Sequence, residues 1–99
     1  MPQNYKAVMY LLTQDEGGRT TPFKLGYRPI FRLNKGGIGT SAIIHWLEGD
    51  RQSMSPGELQ EVRMTIIAPE ELGPISVGAR FELSEGNHLI GWGLIRAAE

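Results

Sequence analysis

Residues 15–31 read DEGGRTTPFKLGYRPIF, and the reading of this run decides the fold. Asp15 and Glu16 followed by Gly17 and Gly18 are turn chemistry: short acids that bond nearby backbone, then two glycines able to take positive φ. Pro22 and Pro29 exclude a helix across 19–33, because each ring removes an N–H and clashes with the preceding helical turn. Short or edge strands remain for this stretch, with RPIFRL as the plausible one.

Outward from it, the pattern is strand-like almost throughout. YKAVMYLLT (5–13) is apolar on both faces, as in a covered strand. NKGGIG (34–39) interrupts, and TSAIIHWL (40–47) is the next strand. EGDRQSMSPGE (48–58) reads as a polar loop closed by Pro-Gly. EVRMTIIA (61–68) alternates, with Val62, Met64 and Ile66 on one face and Glu61, Arg63 and Thr65 on the other. ARFEL (79–83) repeats the pattern with Ala79, Phe81 and Leu83 inward. SEGN (84–87) is a hairpin turn signal before the last strand, HLIGWGLI (88–95). Only PEELG (69–73) offers a helical turn. Short strands with Gly and Pro punctuation predict an all-β domain, 1–99, built as a small closed antiparallel β-barrel of about six strands.

Composition narrows the function classes. At 99 residues and a formal net charge of -1, the chain is no polyanion binder by charge alone. Most of its lysines and arginines fall in 1–35 and most of its carboxylates after that, which allows a local basic patch. The absence of cysteine excludes disulfides and thiol chemistry. No apolar run is long enough to span a bilayer, and MPQNYK lacks a signal-peptide pattern. The expectation is a cytoplasmic protein with no membrane association.

No motif announces catalysis. In NKGGIGTS the lysine precedes the glycines and a strand follows, so a glycine turn is preferred to a phosphate loop. His45 and His88 lack ligand-spaced partners, so no metal is expected, and His45 reads as a half-buried or rim residue. No nucleophile elbow is present and no cofactor is implied. Trp46 and Trp92 read first as core packing and second as interface anchors. For Trp92 the choice lies between filling the barrel and forming an interface, with a second copy as one occupant, and an outward Trp92 is expected in a row with Ile90 and Leu94. Arg28 has two readings: a fork for a partner carboxylate, or a brace stacked on Tyr27.

The longer run LTQDEGGRTTPFKLGYRPIF (12–31) resembles the start of the third, C-terminal domain of bacterial elongation factor Tu. That family carries an Asp/Glu-Glu-Gly-Gly-Arg turn, then His-Thr-Pro-Phe, then Gly-Tyr-Arg-Pro. Here these are Asp15 to Arg19; Thr21, Pro22 and Phe23; and Gly26 to Pro29, with Thr20 in the histidine's place. MSPGE (54–58) resembles the family's Met-Pro-Gly-Asp turn with a serine inserted. IIAPEELGPISVGARFELSEGNHLIGWGLI (66–95) resembles its closing run through Pro69, Arg80, Phe81, Glu85, Gly86, Gly91 and Gly93. The resemblance spans about residues 5–96 and implies the same barrel of about six strands.

In that family the domain contacts the T-stem of aminoacyl-tRNA, packs on the GTPase domain and receives the exchange factor. The 99 residues hold neither the nucleotide-binding domain nor the second barrel, so the expectation is a free-standing, non-enzymatic module. Three positions matching family tRNA contacts are Ile30, Ala68 and Ser84 here, which removes phosphate contacts and disfavours nucleic acid. The loop that meets the GTPase domain is kept. The resemblance therefore implies a translation-linked protein partner, a GTPase or an elongation factor component. The candidate partner-binding residues are Asp15, Glu16, Arg19, Thr21, Phe23, Arg28 and Trp92. Glu16, Arg19 and Phe23 stand equally for structural support of the loop. An RNA-binding alternative uses Lys6, Lys24, Arg32 and Lys35 with Arg19 and Arg28. A third reading is a toxin-neutralising or decoy protein that mimics the factor's surface.

Overall fold

In the computed structural model, which describes residues 1–33 and 37–99, the chain forms strands β1 (Gln3–Leu11), β2 (Phe23–Lys24), β3 (Ile30–Arg32), β4 (Gly39–Leu47), β5 (Ser53–Met54), β6 (Leu59–Ile66), β7 (Arg80–Glu85) and β8 (His88–Ala98). Six of them close a barrel in the order β1-β6-β4-β3-β7-β8, with every neighbouring pair antiparallel. The expected fold is the observed one. The helical turn read in 69–73 is a single 3-10 turn, Pro69–Glu71. Part of the glycine-rich turn read at 34–39, including Lys35, lies outside the described residues.

Period-two alternation builds the interior. Tyr5, Ala7, Met9 and Leu11 on β1 are buried, as are Val62, Met64 and Ile66 on β6, and Phe81 and Leu83 on β7. Phe31 on β3 stacks on Phe81 of the neighbouring strand β7, inside the barrel, with ring centroids 4.9 Å apart. The loop read as polar, 48–58, holds a strand: β5 pairs with β2, and Met54 and Phe23 join the core cluster. This two-stranded sheet thus adds two apolar side chains to the core.

Two bulges correct the reading of the tryptophans. On β4 the register shifts between Ile44 and Trp46, leaving His45 unpaired and exposed. The extra residue turns Leu47 into the core and Trp46 outward. On β8 the register shifts opposite Leu83 and Ser84, so Ile90 is inserted and buried. Trp92 and Leu94 face outward without Ile90. Neither tryptophan belongs to the buried core.

Trp92 sits outward because its neighbours cannot. Gly91 and Gly93 face the barrel wall, where a Cβ on Gly93 would collide with the Val8 carbonyl and the Phe81 ring. Alanine's volume is already excess at these positions, and a tryptophan one residue along must point the other way.

Candidate functional site

The opening loop is built from its first residue onward. Thr13 caps a single 3-10 turn, Gln14–Glu16. The Glu16 carboxylate folds back to accept the Thr13 backbone N–H at 2.9 Å and its hydroxyl at 3.0 Å, the reciprocal contact of a capping box. The Tyr10 hydroxyl donates to the same oxygen at 2.5 Å. These bonds, the backbone one first, hold the Glu16 carboxyl below its ordinary range, and the shared proton keeps the Tyr10 phenol above its own.

Gly17 and Gly18 have different reasons to be glycine. Gly17 ends the turn at φ 89, a left-handed conformation that side chains resist. Gly18 is not left-handed; a Cβ there would collide with the Leu12 backbone. The expectation of positive φ at both is corrected to one turn position and one close approach.

Arg19 then crosses back over its own loop. Its Nε donates to the Thr21 carbonyl at 3.1 Å and a terminal nitrogen to the Pro22 carbonyl at 3.2 Å. The guanidinium lies 4.9 Å from the Tyr27 ring centroid and pairs with Glu85. Glu85 also accepts the Tyr27 hydroxyl at 2.5 Å. Burial, followed by the bond to Glu85, pushes the Tyr27 phenol well above its ordinary value. From the other strand of the same hairpin, the His88 Nε2 donates to the Gly17 carbonyl. Two neighbouring stretches, 15–19 and 26–29, and a distant one, 84–88, thus form one clamp. A shallow cleft of about 280 Å³ opens beside it, lined by Gly18, Arg19, Thr20, Thr21, Glu85 and His88.

The structure sorts the candidate residues. Phe23 is 2% exposed and stacks on Tyr27 at 4.6 Å, so its ring faces the core and not a partner. Glu16 and Arg19 are engaged inside the loop. Asp15, Thr21, Lys24 and Arg28 are exposed. Arg28 does not stack on Tyr27; Arg19 occupies that ring. Trp92 stands apart on the outer sheet, 6.2 Å from the Tyr10 ring and under the Arg80 guanidinium.

The basic alternative is dispersed. Lys6 on β1 pairs with Glu61 at 3.3 Å. Arg32 on β3 donates to the Ser84 hydroxyl at 2.6 Å and the Gly37 carbonyl at 3.1 Å. β1 and β3 lie three strands apart around a six-stranded ring, on opposite sides. Ser84 is itself buried beneath Arg32. Among the described residues no group of three or more metal-ligating side chains comes together.

Sequence reasoning missed two members of the clamp, Glu85 and His88, as partners of the loop. Glu85 is 66 residues from Arg19, and no local spacing can announce such a pair. The one available signal was chemical: arginines and a tyrosine beside glycine turns, with an acid in a hairpin turn elsewhere.

The model of the elongation factor Tu C-terminal domain matches residues 1–98. The chain belongs to this family. The elongation factor Tu C-terminal domain is a non-catalytic barrel of translation, and the closed six-stranded barrel seen here is its fold. Of the motif residues named above, Glu16, Gly17, Arg19, Tyr27 and Glu85 belong to the clamp. No helix among the described residues is long and apolar enough to cross a membrane.

Proposed function

We propose that this elongation factor Tu-type barrel is a non-enzymatic module of the cytoplasm that binds a protein partner of the translation machinery. The face it would offer is the clamped loop. The observation that carries the reading is the division of labour within 15–28. Glu16, Arg19, Phe23 and Tyr27 fix the loop's shape, while Asp15, Thr21, Lys24 and Arg28 remain exposed on it. A loop stiffened before binding loses little conformational entropy on docking. The family resemblance assigns contact with a GTPase domain to this loop, which supports a translation GTPase as the partner.

RNA is the disfavoured partner, because Lys6 and Arg32 are both engaged and lie on opposite sides of the barrel. The test is a binding titration of the full chain against an elongation factor GTPase domain, with and without nuclease, at two salt concentrations. The expected result is nuclease-resistant binding that falls at least about tenfold in an Asp15→Lys/Arg28→Glu double variant. Binding only to RNA, falling steeply with salt, would overturn the proposal.

A further inference from the structure

We infer that the cleft beside the clamp receives a lysine ammonium of the protein partner, which rests on the protein-binding role proposed for this loop. The cleft is lined by Gly18, Arg19, Thr20, Thr21, Glu85 and His88. Its chemistry is decided by which of their polar groups are already spent. The guanidinium of Arg19 is spent. Its Nε donates to the Thr21 carbonyl at 3.1 Å. One terminal nitrogen meets Glu85 and, at 3.4 Å, the Tyr27 hydroxyl. The other meets the Pro22 carbonyl at 3.2 Å and the Thr21 hydroxyl at 3.4 Å. Every nitrogen of Arg19 thus faces an oxygen of its own chain, and an anion entering the cleft finds no unoccupied fork.

The unspent groups are acceptors. Glu85 uses a single oxygen, Oε2, for both Arg19 and Tyr27. Its Oε1 bonds none of the described residues, and the side chain is 39% exposed, so a ligand can reach it. His88 Nε2 faces the Gly17 carbonyl, which only accepts, so Nε2 carries the proton and Nδ1 of the neutral ring is an acceptor. Thr20 is exposed, and its hydroxyl bonds none of the described residues. A carboxylate oxygen, a ring nitrogen and a hydroxyl together select a positively charged donor. One carboxylate oxygen cannot grip a guanidinium by two parallel bonds. An ammonium is a compact charge whose donors turn towards separate acceptors, so the choice falls on lysine over arginine. Arg19 opposes the newcomer only in part, because Glu85 and the loop carbonyls already match its charge.

NMR titration of the full chain with the capped peptides Ac-Gly-X-Gly-NH2 tests this, with X as lysine, arginine or uncharged norleucine. The lysine peptide is expected to shift the amides of 18–21 and 85–88 with a Kd of roughly 10 mM, several-fold tighter than the arginine peptide, and norleucine is expected to shift none. Thr20 lies outside the bracing bonds of the clamp, so its variants keep the loop's shape. Thr20→Asp adds a second carboxylate and tightens lysine binding at least about threefold; Thr20→Lys abolishes it. No shift up to about 50 mM, equal shifts with norleucine, tighter binding of arginine, or indifference to both Thr20 variants overturns the inference. An elongation factor GTPase domain that binds wild type and Thr20→Lys alike, with no lysine shift, sinks the cleft and leaves the proposed partner standing. Lysine shifts without GTPase-domain binding do the reverse.

Discussion

The clamp around residues 13–29 and the outer face of β8 and β1 are neighbours, joined through Tyr10, yet they use their side chains in opposite ways. At the clamp, the recognisable motif residues are turned on one another: Arg19 on Tyr27 and Glu85, Glu16 on Thr13 and Tyr10, Phe23 on the core. On the sheet, Trp92 and Leu94 belong to no motif and stand outward. Part of the motif is scaffolding here, and the available surface lies on its exposed members, Asp15, Thr21 and Arg28, and on the outer sheet.

Mutations can break or sharpen this contrast. The largest effect is expected at the root of the clamp. Phe23→Ala empties a buried site under the two-stranded sheet and should cost about 3–5 kcal/mol in urea unfolding. A loss within the range of a surface substitution would show that the loop's anchor lies elsewhere. Tyr27→Phe keeps the ring stack and removes one bond to a carboxylate, at a cost of about 1.5 kcal/mol.

The same variant carries a pH signature. The folded phenol of Tyr27 sits above its ordinary value of 10.0, so the folded state holds that proton more tightly than the unfolded chain. Its contribution is complete below pH 10 and is lost progressively as pH rises beyond it. Wild-type stability should fall across that alkaline range more steeply than that of Tyr27→Phe. Parallel alkaline profiles would remove Tyr27 from the clamp's energetics.

Trp92→Ala should be milder than either for the monomer, at about 1 kcal/mol, since it gives up an Arg80 contact and a tilted Tyr10 contact but leaves no internal cavity. A loss as large as that of Phe23→Ala would place Trp92 in the core after all. The smallest effect is on the acid side. The lowered carboxyl of Glu16 stabilises the fold above the unfolded pKa, and that contribution disappears as pH falls through the folded one. Acid unfolding of Glu16→Gln should show a shallower slope below pH 4.5, measured by fluorescence.

Alternation made most of the barrel legible beforehand: Val62, Met64 and Ile66, or Phe81 and Leu83, announce an inner face without help from tertiary structure. The resemblance at 12–31 supplied the topology that alternation cannot. What escaped has physical causes. A single inserted residue, His45 or Ile90, reverses the face of everything beyond it, and no composition signal marks it. β5 is two residues long inside a polar loop, too short to show a period. In the candidate site, the loop was legible but its lock was not, because Arg19 and Glu85 meet only when β7 and β8 are in place.

The ring order has a kinetic side. β1 pairs with β6 and β8, and with no strand that follows it closely in the chain. A nascent chain therefore leaves the ribosome with Tyr5, Ala7, Met9 and Leu11 unable to find either neighbour until residues 59–66 have emerged, and the ring open until 88–98 have followed. Such a high contact order places closure among the slower, millisecond-to-second folding events. It leaves the first-made strand as the last to be sealed on both edges.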